Sequence, residues 1–285
     1  MPTLFKGPNK ETRRQFSGDP EDFRLSLVEH LEELRDRIIR SLVIITVCWV
    51  IGWFLVKPTY GYLNDMAVTA IKHVIPKNVE YREVFSHAPQ AFLLKFKLSF
   101  MIGVIFAFPF LVLQLWGFIM PALKAKEQAP LKRLAPFSLI LFAMGVGFAW
   151  AVVPSAMTWF ATYIEEFPGT SLYQEPGSMV FFILKMLAAF GIAFQLPLIV
   201  YMLGELELLS AETLLKYWRQ AATAIFVIAM IVTPSQDPMT MLMMAIPLVI
   251  LFMASVYIVK FTQGRRKKAR LLAGDEAEAD SNPFV

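Results

Sequence analysis

The chain has 285 residues, of which 56% are hydrophobic and 18% charged, and its mean hydropathy is +0.54. A soluble domain carries about 25% charge and 45–50% apolar residues; here the apolar excess is gathered into nearly uncharged blocks of about 20 residues, the length that crosses ~30 Å of hydrocarbon. This excludes an ordinary soluble enzyme, a disordered protein and a disulfide-stapled secreted domain, and continuous blocks speak against an outer-membrane barrel, whose strands alternate over ~10 residues.

The net charge of +4 is no sign of a nucleic-acid partner, because the basic residues flank apolar blocks, where they set membrane orientation. The single cysteine, Cys48, can form neither an intrachain disulfide nor a multi-thiolate metal site. His30, His73 and His87 all lie outside the apolar blocks, which argues against an intramembrane haem or a Ser–His protease. There is no G-x-x-x-x-G-K nucleotide loop. No cofactor, metal or enzymatic centre is expected.

In chain order, residues 1–22 read as a flexible polar arm. Its Thr12-Arg13-Arg14-Gln15-Phe16 resembles an export motif but lacks the apolar segment that must follow one. Residues 23–37 read as an amphipathic helix on the membrane surface, with Leu27, Val28, Leu31, Leu34 and Ile38 on one face. Six spans follow, at 38–56, 96–120, 134–160, 178–203, 220–233 and 239–260. The loop 57–95 is long enough to be a structured external cap. The tail 263–285 turns acidic after Arg270 and reads as disordered. The spans thus form one domain over 23–262. Lys and Arg crowd the segment before span one, the loops after spans two and four, and the C-terminal tail, while the loops after spans three and five have none. The fold expected is an all-α bundle of six transmembrane helices, bent and cupped, with both termini cytoplasmic.

Charge at bilayer depth is costly, so polar residues there need a reason. Gln195 lies mid-span, and either hydrogen-bonds a neighbouring helix or marks a polar spot facing a partner. Gln114 is expected to bond within the bundle, Lys185 to snorkel outward, and Gly145 and Gly147 to permit close helix contact. Pro109, Pro154, Pro197 and Pro247 should bend their helices. Glu127 is the only acid in the loop between Met120 and Arg133.

Several motifs resemble the TatC family, the polytopic subunits of the twin-arginine translocase. They are His30-Leu31-Glu32-Glu33-Leu34-Arg35-Asp36-Arg37, Leu115 to Leu123 followed by Glu127, Ala189 to Pro197, Thr233 to Asp237 and Ala245-Ile246-Pro247. The resemblance implies recognition of twin-arginine signal peptides of folded precursors and recruitment of the single-span partners TatA and TatB. Transport is then driven by the protonmotive force across the cytoplasmic (inner) membrane, without bond chemistry. It implies signal-peptide contacts at Glu33 and Glu127, with Arg35 and His30 on the same surface, and self-association in the complex; Gln195 and Gln114, as polar residues within the spans, are the candidates for a partner or signal contact. Gln195 stands where many members carry a glutamate, and Gln128 and Ala129 where some carry arginines. The alternative is a secondary transporter of a small solute, but such a protein wants ionisable groups near the midplane, and only Gln114 and Gln195 stand there.

Overall fold

In the computed structural model the described residues are 27–75, 79–120, 125–167, 169–206, 208–232 and 237–281; the side chains at 27–29, 125–127, 129–135, 165, 232 and 266–281 are not among them. The expected arm 1–22 and its Arg13-Arg14 pair lie outside the described residues.

The elements are α1 (Leu27–Lys72), β1 (Tyr81–Glu83), α2 (Ala88–Ile119), α3 (Ala125–Thr162), a 3-10 turn at Tyr163–Glu166, β2 (Leu172–Gln174), α4 (Ser178–Ala193), α5 (Leu196–Glu205), α6 (Ala211–Lys216), α7 (Trp218–Val232) and α8 (Pro238–Ser281). Among the described residues five helical stretches are long and apolar enough to cross a bilayer, and the shorter Trp218–Ile231 is the sixth. The protein is an all-α, six-span membrane protein. Pro109 and Pro247 sit inside continuous helices, whereas the fourth span breaks at Phe194 and Gln195 and restarts as α5, with Pro197 at its first turn. Proline suits that first turn because its missing N–H has no intrahelical partner to lose.

Two expectations are corrected by α1. It is one helix of 46 residues that runs through Pro58, so span one does not stop at Lys57. Its outer part is held by Leu63, Ala67 and Ile71, buried at four-residue spacing, which outweighs the one backbone bond that Pro58 removes. No break separates the amphipathic segment from the span, and a continuous helix cannot lie flat on the surface and then cross. The apolar face of this segment turns away from the bundle, Leu34 excepted. Leu31 is 63% exposed and Ile38 51%, while His30, Glu33, Leu34 and Arg37 are the half-buried stripe against α2. Next to lipid an apolar face gains nothing by turning inward, so the polar groups that can pair with protein do so.

The seam between α1 and α2 depends on glycine. A Cβ on Gly52 would sit 2.4 Å from Ser99 O, and one on Gly103 2.6 Å from Trp49 Cα. Across the same seam Trp49 Nε1 donates to Ser99 Oγ at 3.0 Å. Between α3 and α4, a Cβ on Gly145 would lie 2.5 Å from Phe190 O, but Gly147 has nothing within 4 Å; only the first of the two expected glycines serves close contact. The fourth span is central: Val180, Ile183, Met186 and Phe190 are fully buried among α1, α2 and α3.

The external loops are structured. β1 and β2 pair in parallel, Tyr81 opposite Leu172 and Glu83 opposite Gln174, tying the segment after α1 to the segment after α3. No strand was expected from the sequence. Glu83 anchors the pair to α1: its Oε2 accepts from Tyr60 Oη at 3.0 Å and its Oε1 from Tyr81 Oη at 2.9 Å.

At the other end, Gln263 of α8 accepts from Ala211 N at 3.0 Å and donates to Gly204 O at 3.1 Å and Leu209 O at 3.2 Å. One amide thereby fixes the turn between α5 and α6. Helix α8 continues to Ser281, through the segment read as a disordered tail. The run from Lys267 to Ala279 is rich in Ala, Leu, Glu, Lys and Arg, strong helix formers that extend an already nucleated helix.

Candidate binding site

The start of α1 and the end of α2 lie side by side, and α3 begins six residues after α2 ends. All three termini therefore gather at one end of the bundle. The α1 spacing 30, 33, 34, 37 places four side chains on the face toward α2. The His30 ring stacks on Phe118, with centroids 4.5 Å apart and planes inclined by 20°. One turn on, Arg37 Nη2 donates to Glu33 Oε1 at 3.0 Å, and Arg37 Nη1 donates to Gln114 Oε1 at 3.2 Å. The ion-paired side chains are 25% and 22% exposed. The guanidinium lies on the α2 backbone at Gly117, where a Cβ would come within 2.2 Å of Nη1 and 2.6 Å of Cζ.

Glu33 is thus a carboxylate held at a helix–helix seam, partly withdrawn from water, with one oxygen committed to its own chain. The i,i+4 order, acid before base, is the favourable one for such a pair. The cluster holds one guanidinium between a carboxylate and an amide oxygen. Among the described residues no group of three His, Cys, Asp or Glu side chains could hold a metal ion.

The structure joins some of the expected site residues and separates others. His30 and Glu33 share the α2-facing stripe, and Gln114 closes it. Arg35 does not join them: two residues from Glu33 along the helix, it points away, 68% exposed, beside Asp36 at 3.4 Å. Glu127 is not in a loop but in the first turn of α3. Ala125, Lys126, Glu127 and Gln128 favour helix, and an acid in the first turn faces the positive end of the helix dipole. Its side chain lies outside the described residues. Gln195 bonds to α3 instead. It is 7% exposed, its Nε2 donates to Ser138 O of α3 at 3.1 Å, and its Oε1 is buried without a hydrogen-bond partner. Lys185 lies over the Phe181 ring at 4.7 Å, one turn toward the N-terminal end of α4, as snorkelling requires.

Sequence reasoning missed Arg37, Gly117 and Phe118. The i,i+4 pairs Glu33–Arg37 and Gln114–Phe118 were there to be read, but nothing in a single sequence says that these two helix faces meet.

A family profile described as "Sec-independent protein translocase protein (TatC)" matches residues 29–247. The chain belongs to the TatC family. It is therefore a subunit of the Sec-independent, or twin-arginine, protein translocase. Among curated TatC proteins, that of Carboxydothermus hydrogenoformans is 35% identical over 245 residues, covering 85% of this chain and 95% of the relative. That of Synechocystis is 32% identical over 231 residues, covering 79% and 84%. A crystal structure described as the twin arginine translocase receptor TatC superposes with a TM-score of 0.69 at 29% identity, covering 82% of this chain and all of the other. The TatC profile spans the Glu33–Arg37 helix start, the α2–α3 junction and Gln195 alike.

Proposed function

We propose that this TatC binds the twin-arginine signal peptide of folded precursors through Glu33 and Glu127 at the cytoplasmic face of the inner membrane, and then assembles with TatA- and TatB-like single-span subunits for transport driven by the protonmotive force. The observation that carries the reading is Glu33 itself: a carboxylate at a helix seam, engaged by a guanidinium in a geometry that an incoming arginine can reproduce. A guanidinium pairs with a carboxylate through parallel hydrogen bonds that an ammonium cannot match. Glu127 supplies the second carboxylate from the start of α3 at the same end of the bundle. His30 sets the wall of the site through Phe118, and Arg35 contributes to the exposed side of the helix rather than to the pocket. Gln195 and Gln114 act within the bundle, Gln195 holding α4 to α3 where a partner or signal helix docks. The protein works by binding and assembly, not by bond chemistry. Both termini are cytoplasmic, following the distribution of Lys and Arg.

The test is binding of a twin-arginine peptide to the solubilised protein. Glu33→Gln and Glu127→Gln each remove a charged hydrogen-bond partner, of order 1.5–3 kcal/mol, so binding should weaken roughly 10- to 150-fold. Wild-type affinity in both variants, with a Lys-Lys peptide bound equally well, refutes the assignment.

A further inference from the structure

We infer that Arg37 is the resting counter-ion of the Glu33 subsite and its specificity filter: it occupies the carboxylate until an arginine of the signal peptide displaces it. The inference rests on the reading of Glu33 as a signal-peptide ligand. Arg37 holds Glu33 Oε1 at 3.0 Å and Gln114 Oε1 at 3.2 Å, so its two terminal nitrogens bridge α1 and α2. The Gly117 backbone leaves room for the guanidinium to lie flat, since even a Cβ there would collide with Nη1, Nη2 and Cζ. Both charged side chains are about three-quarters buried. A peptide cation cannot reach both oxygens of Glu33 while Arg37 remains.

The consequence for selectivity is chemical. Arg37 gives Glu33 a single hydrogen bond and its other terminal nitrogen goes to Gln114; an incoming arginine can offer the carboxylate both prongs of its fork while Arg37 keeps Gln114. A lysine offers a point charge in place of a fork, so it recovers less from the carboxylate than an arginine does. The site therefore asks of every cation that it outcompete an arginine already in place. Arginine passes that test more readily than lysine.

The experiment measures Kd for a twin-arginine peptide and its Lys-Lys counterpart with the full-length solubilised protein. Arg37→Gln keeps a hydrogen-bonding amide for Gln114 but removes the competitor. Twin-arginine affinity should rise about two- to fivefold, the scale of a partly exposed ion pair, and Lys-Lys affinity should rise more, so that discrimination shrinks. Arg37→Lys preserves the charge and the i,i+4 pair while losing the fork; it should give a smaller gain for the twin-arginine peptide, and it decides the matter if Arg37→Gln does not fold. Gln114→Leu, which frees one end of Arg37, should shift affinity in the same direction. Unchanged or weakened twin-arginine binding in the folded Arg37 variant overturns the inference. Glu33→Gln in the same assay keeps the two readings apart: a loss there without a gain at Arg37 defeats only the competitor role, and no loss at Glu33 defeats the signal-binding reading beneath it.

Discussion

Substituting Gly103 tests the packing that presents the binding site. An ideal Cβ at this position lies 2.6 Å from Trp49 Cα, 2.8 Å from Trp49 N and 3.0 Å from Cys48 C. Carbon pairs are comfortable at ≈ 3.5–4.0 Å, and these neighbours are backbone, so no rotamer change relieves the clash. In Gly103→Ala the two helices must separate by about 1 Å. Separation also lengthens the 3.0 Å bond from Trp49 to Ser99, a buried hydroxyl. Overpacking costs about 1–3 kcal/mol and a lost internal hydrogen bond about 0.5–1.5 kcal/mol, so a total of about 2–4 kcal/mol is expected. The assay is thermal unfolding in detergent beside Gly147→Ala, which meets nothing within 4 Å and should be neutral or stabilising through helix propensity, by up to about 1 kcal/mol. Since Glu33 and Gln114 belong to the same two helices, Gly103→Ala should also weaken peptide binding. Equal melting temperatures for the two variants refute the claim that this seam is in close contact.

Gln195→Leu removes the 3.1 Å bond to Ser138 O and should impair assembly with partner subunits more than signal-peptide binding, read by co-purification against peptide affinity; normal assembly and export reduce Gln195 to a packing role. Burial and the neighbouring Glu83 carboxylate push the Tyr81 phenol well above its ordinary value. Its protonated form is the favoured one in the fold, so the stabilisation it contributes is complete below pH ~10 and is lost as pH rises through the raised value; ultraviolet titration of wild type against Tyr81→Phe should show one tyrosine that ionises later than exposed ones. A reporter active only in the cytoplasm should work when fused after Lys268 and fail within residues 169–175, and a positive signal at 169–175 would reverse the orientation. Helix α7 has 15 residues, about 22 Å at 1.5 Å per residue against a ~30 Å core; lengthening it by about six leucines should impair export while leaving peptide binding intact, and unchanged export removes any role for local thinning.

Much of this fold was legible because lipid imposes one rule on every span: a long uncharged block. Even the short fifth span was readable between Arg219 and Pro234. What hydropathy does not report is where a helix ends once it leaves lipid. At Lys57-Pro58 the apolar block stops, but the helix goes on to Lys72 because Leu63, Ala67 and Ile71 find protein to pack on. The β1–β2 pair was illegible for a related reason: each strand has three residues and gains its hydrogen bonds only when two distant loops meet.

The candidate site was half legible: an amphipathic helix at the membrane surface could be read, but not which of its polar residues would meet α2. In a soluble protein the apolar face of residues 27–38 would turn to the core and the charges outward. Here Leu31 and Ile38 are the exposed residues, and the interior face is the one with His30, Glu33 and Arg37. At the membrane surface a carboxylate and a guanidinium on this face would otherwise be left to water and headgroups, whereas at the α2 seam they satisfy each other and Gln114. The contacts that close this seam thus set a carboxylate beside a guanidinium that already holds it.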